Sequence, residues 1–131
     1  MKRFVLILFP LIVAISCFAQ IERPDCNTFK KGKFMYINDS SNKVFITRKN
    51  KLQEEFEPQS GIRTLWRIRW IADCEYELIQ ISSNNKRKRK QNGRKTKIKI
   101  INTYNDRYDY TCGCGSDENS KKNGTVIIMK E

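Results

Sequence analysis

The chain has 131 residues, with 26 Lys and Arg against 14 Asp and Glu, a formal charge of +12 at pH 7, and no histidine. The length suits one domain, and a charge balance this basic favours anionic partners. The missing histidine removes the commonest acid–base group that works near neutral pH and the commonest metal ligand.

Residues 1–19 read as an address. Lys2 and Arg3 precede the apolar run Phe4 to Ile15, and Cys17-Phe18-Ala19 makes a small-residue exit before Gln20. That is the layout of a secretory signal peptide cleaved after Ala19. The apolar run is short for a membrane-spanning helix. Ala14-Ile15-Ser16 is a poor lipobox for Cys17, so lipid anchoring ranks second to soluble export. The expected location is exported: periplasm, outer-membrane-associated or secreted. Residues 20–131 then form a single β domain of roughly 110 residues, enough to bury about two thirds of its unfolded surface.

The rest of the chain reads as strands and turns. Gln20 to Thr28 is an arm that Pro24 keeps irregular. Phe29 to Asn38 is the first strand, with Gly32 marking a bulge or bend. After the turn cluster Asp39-Ser40-Ser41-Asn42 comes Lys43 to Lys49, with Val44 and Ile46 opposite Phe45 and Thr47. Asn50-Lys51 turns tightly into Leu52 to Glu57, which Pro58-Gln59-Ser60-Gly61 ends.

Ile62 to Ser82 is the centre. Ile62, Thr64, Trp66, Ile68 and Trp70 alternate with Arg63, Leu65, Arg67, Arg69 and Ile71, the period of a half-buried strand. Beyond Ala72-Asp73, a second strand sets Cys74, Tyr76, Leu78 and Gln80 on one face. The pattern predicts that Trp66, Ile68, Trp70, Tyr76 and Leu78 are buried together and that Arg63, Arg67 and Arg69 face water. Ser82 to Gly93 is a loop closed by Asn92-Gly93, a dipeptide that favours positive φ. Arg94 to Asn102 alternates Thr96, Ile98 and Ile100 with Lys95, Lys97 and Lys99. Arg107 to Cys112 returns with Tyr108, Tyr110 and Cys112 in phase, Gly113 to Gly124 is loop, and Thr125 to Lys130 is the last strand. Eight short strands with hairpin-length links predict an all-β, antiparallel up-and-down meander. Closure into a small barrel resembling the lipocalin class removes the exposed edges; an open twisted sheet or a sandwich is the alternative.

Four cysteines follow the leader: Cys26, Cys74, Cys112 and Cys114. An even number in a short exported chain points to disulfides, with three pairings open. The leading pairing is Cys26–Cys74, tying the arm to the central strand. Cys112-Gly113-Cys114 is either a second, labile disulfide or two free thiols. A metal site there would need two further ligands and has no histidine to draw on. No metal and no cofactor is expected.

Three groups of residues have chemical potential. Arg48, Gln53 and Glu55 straddle the tight turn, where Arg48 and Glu55 can pair across the hairpin or form a polar cluster at a barrel mouth. Asp73, Glu75 and Glu77 offer paired carboxylates for hydrolysis, but Glu75 and Glu77 fit an outer face that balances the arginines, and nothing implies an apolar pocket around them. Lys86 to Lys99 holds nine basic residues in fourteen positions: Lys86, Arg87, Lys88, Arg89, Lys90, Arg94, Lys95, Lys97 and Lys99. Read functionally it is a docking surface for acidic polysaccharide, lipid headgroup or extracellular nucleic acid; read plainly it is a solvated loop. No aromatic residue interleaves it, which lowers nucleic acid against other polyanions.

Cys26-x-x-Phe29-Lys30-x-Gly32-x-Phe34, Arg48-x-x-x-x-Gln53-x-Glu55 and Trp70-Ile71-x-Asp73-Cys74-x-Tyr76-x-Leu78 resemble a family of small exported Gram-negative proteins, Bacteroidetes-type, of unknown function. The resemblance runs from Cys26 to about Ile81 and implies a β-rich envelope protein with no catalytic residues to carry over. Members sometimes bear the label DNA topoisomerase IV. Strand passage needs a nucleophilic tyrosine on a DNA-gripping platform, an acidic metal cluster and a moving gate, none of which fits one small exported domain. The expected function is therefore a non-enzymatic, monomeric cell-envelope barrel whose basic loop contacts anions. The rivals are a carboxylate-dependent hydrolase of envelope carbohydrate or lipid, using Asp73 or Glu55, and a purely structural envelope protein.

Overall fold

The computed structural model describes residues 24–114 and 120–130, so the signal-peptide reading lies outside the described residues. Eight antiparallel strands close in sequence order into a barrel: β1 (Gly32–Ile37), β2 (Lys43–Lys49), β3 (Leu52–Glu57), β4 (Ile62–Ala72), β5 (Glu75–Ser83), β6 (Lys95–Thr103), β7 (Arg107–Cys112) and β8 (Lys122–Ile128). The alternation of the sequence carries over directly. Ile68, Tyr76, Leu78, Ile98, Ile100, Tyr108 and Val126 are buried, with Trp66 and Trp70 packed partly buried against them, while Arg63, Arg67 and Arg69 are exposed. The seam is narrow. β1 meets β8 through Phe34↔Ile128 and Met35↔Ile127, whereas it pairs with β2 from Gly32↔Arg48 to Ile37↔Lys43.

Two strand starts move by three residues. The first strand starts at Gly32, because Asn27–Phe29 form a single 3-10 turn. That turn swings Phe29 inward, where its ring meets Tyr108 edge-on at 4.9 Å and Phe34 at 6.5 Å. Gly32, at φ 125°, makes the bend out of the turn; the bulges fall in the β4–β5 and β6–β7 ladders instead. The last strand starts earlier than the apolar residues suggest, at Lys122. Gly124 lies opposite Tyr110, and a Cβ there would stand 2.5 Å from the Tyr110 hydroxyl. The glycine is what lets the phenol lie flat across β8.

β3 is turned inside out relative to its apolar residues. Gln53 and Glu57 are buried and Glu55 points inward, while Leu52 lies exposed and Phe56 sits outside under Arg63, whose guanidinium is 4.0 Å from the ring centroid. The hairpin forces this. Asn50 and Lys51 both take φ 51°, giving a two-residue turn of the kind that matches strand twist. That turn sets Arg48 opposite Gln53. Arg48 is in phase with buried Val44 and Ile46, so Gln53 must face inward with it, and Glu55 and Glu57 follow at period two.

The barrel has two unlike ends. The arm, the 3-10 turn and the β2–β3, β4–β5 and β6–β7 turns gather at one. Cys26–Cys74 ties the arm across the β4–β5 turn, as the sequence predicted. The β1–β2, β3–β4 and β5–β6 connections gather at the other, with the end of β7 and the start of β8.

Candidate functional site

At the sealed end the organising group is Arg48, 2% exposed. Its Nε donates to Gln53 Oε1 at 2.8 Å and its Nη1 to the Phe29 carbonyl at 2.8 Å. Its Nη2 donates to the hydroxyls of Tyr76 at 2.9 Å and Tyr108 at 2.7 Å, which are themselves 2.9 Å apart. The guanidinium also lies within 5 Å of the Phe34 and Tyr76 ring centroids. A buried charge is tolerable only when its donors are met, and here one side chain fastens the plug, β3, β5 and β7 together.

The expected Arg48–Glu55 pair is not direct. Glu55 lies opposite Ile46, and the link runs through Gln53, whose Nε2 donates to Glu55 Oε1 at 2.8 Å. Tyr36 Oη donates to Glu55 Oε2 at 3.3 Å. Removal from water raises the Glu55 pKa; the hydrogen bond from Gln53 and the nearby charge of Lys88 oppose this in part. Glu55 is half-buried as a residue and borders a cavity.

That cavity, about 320 Å³ and partly open, fills the other half of the barrel. This is within the size range of small-molecule sites. Ile46, Leu78, Ile98 and Val126 supply its apolar lining, interleaved around the barrel with the polar side chains of Tyr36, Gln53, Glu55, Thr96 and Tyr110; Asp39, Gln91, Arg94 and Lys122 stand at the rim. Asp39 is ion-paired with Lys122. Burial pushes the Tyr110 hydroxyl up to about 12 and raises Tyr36 further, so both remain neutral donors. Trp66 lines the same space. Its buried Nε1 has no hydrogen-bond partner among the described residues, although it lies near enough to Glu55 to favour the carboxylate. Buried polar atoms are normally satisfied; among the described residues this is the fully buried side-chain donor left without a hydrogen bond, with the Glu55 carboxylate close by.

The nine basic residues are divided among three places. Lys86–Arg89 form one helical turn, α1, capped by the Asn85 side chain accepting from Lys88 N–H at 3.0 Å. Gln80, buried in β5, holds this loop down: its Nε2 donates to the Lys88 carbonyl at 2.6 Å and to Asn92 Oδ1 at 2.9 Å. Arg89 donates to the Ser83 and Asn84 carbonyls. The loop is therefore an ordered flap beside the mouth, not a free tether. Gly93 takes φ 84°, as Asn92-Gly93 predicted. Arg94 joins the rim, and Lys95, Lys97 and Lys99 lie exposed on the outer face of β6. There Glu77 pairs with Arg69 at 3.0 Å and Glu75 with Lys99 at 3.7 Å, the outer-face balance expected from the sequence. Asp73 is exposed in the β4–β5 turn at the opposite end from the cavity mouth. None of Asp73, Glu75 and Glu77 lines the cavity.

Cys112 and Cys114 are joined, and both line the cavity. The two bridges differ in what they can contribute. Cys26–Cys74 spans a separation of 48 residues, worth about 4 kcal/mol on the chain-entropy model. A separation of 2 gives under about 2 kcal/mol on the same model. Tyr36, Trp66, Tyr76, Tyr108 and Tyr110 are site residues that the sequence marked only as core or strand. The signal that could have found them is Gln53-x-Glu55-x-Glu57, three polar side chains in phase with Arg48.

No family model, curated protein or solved structure matches this chain. The architecture and the cavity carry the functional reading alone.

Proposed function

We propose that this chain is an exported, non-enzymatic binding barrel of the cell envelope that takes a small amphipathic anion into its cavity. The observation that carries this reading is the buried Trp66 Nε1, without a hydrogen bond, in the wall of a cup of about 320 Å³, where Gln53, Tyr36 and Glu55 are bonded to one another. The ligand presents an acceptor to Trp66, lays an apolar body along Ile46, Leu78, Ile98 and Val126, and leaves its anionic end at the rim beside Arg94. The flap of Lys86 to Lys90 raises the local concentration of anions, whether free or as the ends of acidic polysaccharide, lipid headgroup or nucleic acid. The Cys26–Cys74 bridge supports an oxidising, exported setting. A hydrolase is the weaker reading. The carboxylates at the wall are Glu55, which is bonded to Gln53 and Tyr36, and Asp39, which is paired with Lys122, so no free acid and base face each other.

Calorimetric titration with a series of straight-chain carboxylates and their neutral alcohols, followed in parallel by tryptophan fluorescence, tests this. Saturable binding of at least one carboxylate is expected, with Arg94→Gln weakening it about tenfold, as for loss of one charged contact, and leaving the alcohol unchanged. Replacing Lys86, Arg87, Lys88 and Lys90 by Gln should slow association at low salt; the same change at Lys31, Lys49, Lys51 and Lys130, around the sealed end, should not. Equal slowing by both sets reduces the flap to net charge. Absence of saturable binding across the series rejects the cup as a site for such anions.

A further inference from the structure

The bridge between Cys112 and Cys114 does little for the fold, since it closes a loop across Gly113 alone. It also differs from Cys26–Cys74 in access. Cys26 is 2% exposed and its partner is packed against the core. Cys112 is likewise buried at 4%, whereas Cys114 is exposed. A thiolate approaching from solvent therefore reaches Cys114 more readily than Cys112. Exchange proceeds by attack on a disulfide sulfur, and exposed or tightly ringed bridges are the labile ones. Arg94 and Lys122 stand in the same cavity wall, so a thiolate released there meets positive charge, which favours it as a leaving group; Asp39, paired with Lys122, is the opposing charge.

We propose that Cys112–Cys114 is a thiol–disulfide exchange site at the barrel mouth that oxidises a peptide dithiol. In the first step a substrate thiolate attacks Cys114 Sγ, forming a substrate–Cys114 disulfide and expelling Cys112 as a thiolate, which takes up a proton. In the second step the other substrate thiolate attacks the substrate sulfur of that mixed disulfide and expels Cys114. The substrate loses two electrons and two protons to become a disulfide, and Cys112 and Cys114 gain both as thiols. One turnover needs no further oxidant. The exchange shares the cavity mouth with the anion reading but does not require it, since the bonds made and broken are between sulfurs.

The test is a single-turnover reaction of the oxidised full chain with an equimolar synthetic peptide carrying two cysteines, quenched by alkylation and read by mass spectrometry. Up to one equivalent of oxidised peptide is expected, with Cys112 and Cys114 alkylated and Cys26–Cys74 intact. Two variants report the asymmetry, with circular dichroism confirming that each is folded. Cys112→Ser, which leaves Cys114 as a free thiol, should capture glutathione from its disulfide and release one glutathione; Cys114→Ser, which leaves the buried Cys112, should capture it at least tenfold more slowly. The proposal is overturned if the peptide stays reduced, if both bridges open at the same rate, if Cys112 and Cys114 are alkylated before peptide is added, or if the two variants capture glutathione equally.

Discussion

The two ends of this barrel are made of the same strands and do opposite things. At the sealed end every strong polar group meets another: Arg48 has four acceptors, and Phe29 caps the interior under Cys26–Cys74. At the open end Trp66 Nε1 has no hydrogen bond, Glu55 sits against a cavity, and Arg94 and Lys122 stand at the entrance with Asp39. What separates them is a step of two residues along β3. Gln53 belongs to the seal and Glu55 to the cup, and Gln53 bonds to both sides. Satisfied polar groups hold the shape; on the function proposed here, the unsatisfied one is where the ligand binds.

The comparison breaks hardest at Arg48. Arg48→Met leaves the Phe29 carbonyl and the Gln53 amide oxygen without a donor, and each buried orphan costs about 1–3 kcal/mol. A total loss of roughly 3–5 kcal/mol in urea unfolding is expected, because a buried, fully bonded charge cannot be replaced by its hydrocarbon stem alone. A loss under about 1 kcal/mol would mean that the cluster does not hold the plug.

Next in size is the arm. Replacing Cys26 and Cys74 together by Ser should cost about 4 kcal/mol and increase protease sensitivity first around residues 24–30. The paired replacement of Cys112 and Cys114 should cost under about 2 kcal/mol. The ratio of the two losses sharpens the contrast between an end built for stability and one that is not.

A smaller effect is expected from Glu55→Gln, and its sign is informative. Burial raises the folded-state pKa of Glu55 above its unfolded value, so the folded state binds this proton more tightly. The native chain is then most stable, relative to the variant, below the unfolded carboxylate value, and it loses that advantage as pH rises through the higher folded value. Glu57 runs the other way. Hydrogen bonds, from Asn42 above all, hold its pKa down, so its contribution is present at neutral pH and disappears as pH falls below the ordinary carboxylate range. Unfolding of the native chain, Glu55→Gln and Glu57→Gln across pH 3 to 8 should separate the two trends; parallel curves would mean that neither carboxyl is placed as described.

Much of the fold was legible from period-two alternation. β2, β3 and β7 match their predicted limits, and the faces of β4, β5 and β6 follow from where Trp66, Tyr76 and Ile98 fall. The site was less so, for reasons specific to its residues. β3 carries its apolar Leu52 and Phe56 outward, so hydrophobicity points the wrong way there; only the in-phase run of Arg48, Gln53, Glu55 and Glu57 gives the inversion away. Phe29 read as the start of a strand because nothing local distinguishes it from one; its place under Tyr108 is a long-range contact. Charge density alone made Lys86 to Lys99 look like one surface. Gln80, a buried amide six residues before Lys86, is what pins the loop, and Arg94 and the β6 lysines part company because the strand begins at Lys95.

The distinction between the ends rests most directly on the two tryptophans, one in each setting. Trp66 lines the cup, while Trp70 packs tilted against Tyr76, with ring centroids 4.8 Å apart, and lies under Lys30 toward the plug. The chain contains two tryptophans, so a nitrogen–proton correlation spectrum shows two indole resonances. On titration with a carboxylate that binds, the Trp66 Nε1–H signal should move downfield as its proton gains an acceptor, while that of Trp70 stays in place. If Trp66 stays in place while the ligand saturates, or both signals move together, the unpartnered donor is not the binding contact and the functional division between the two ends is wrong.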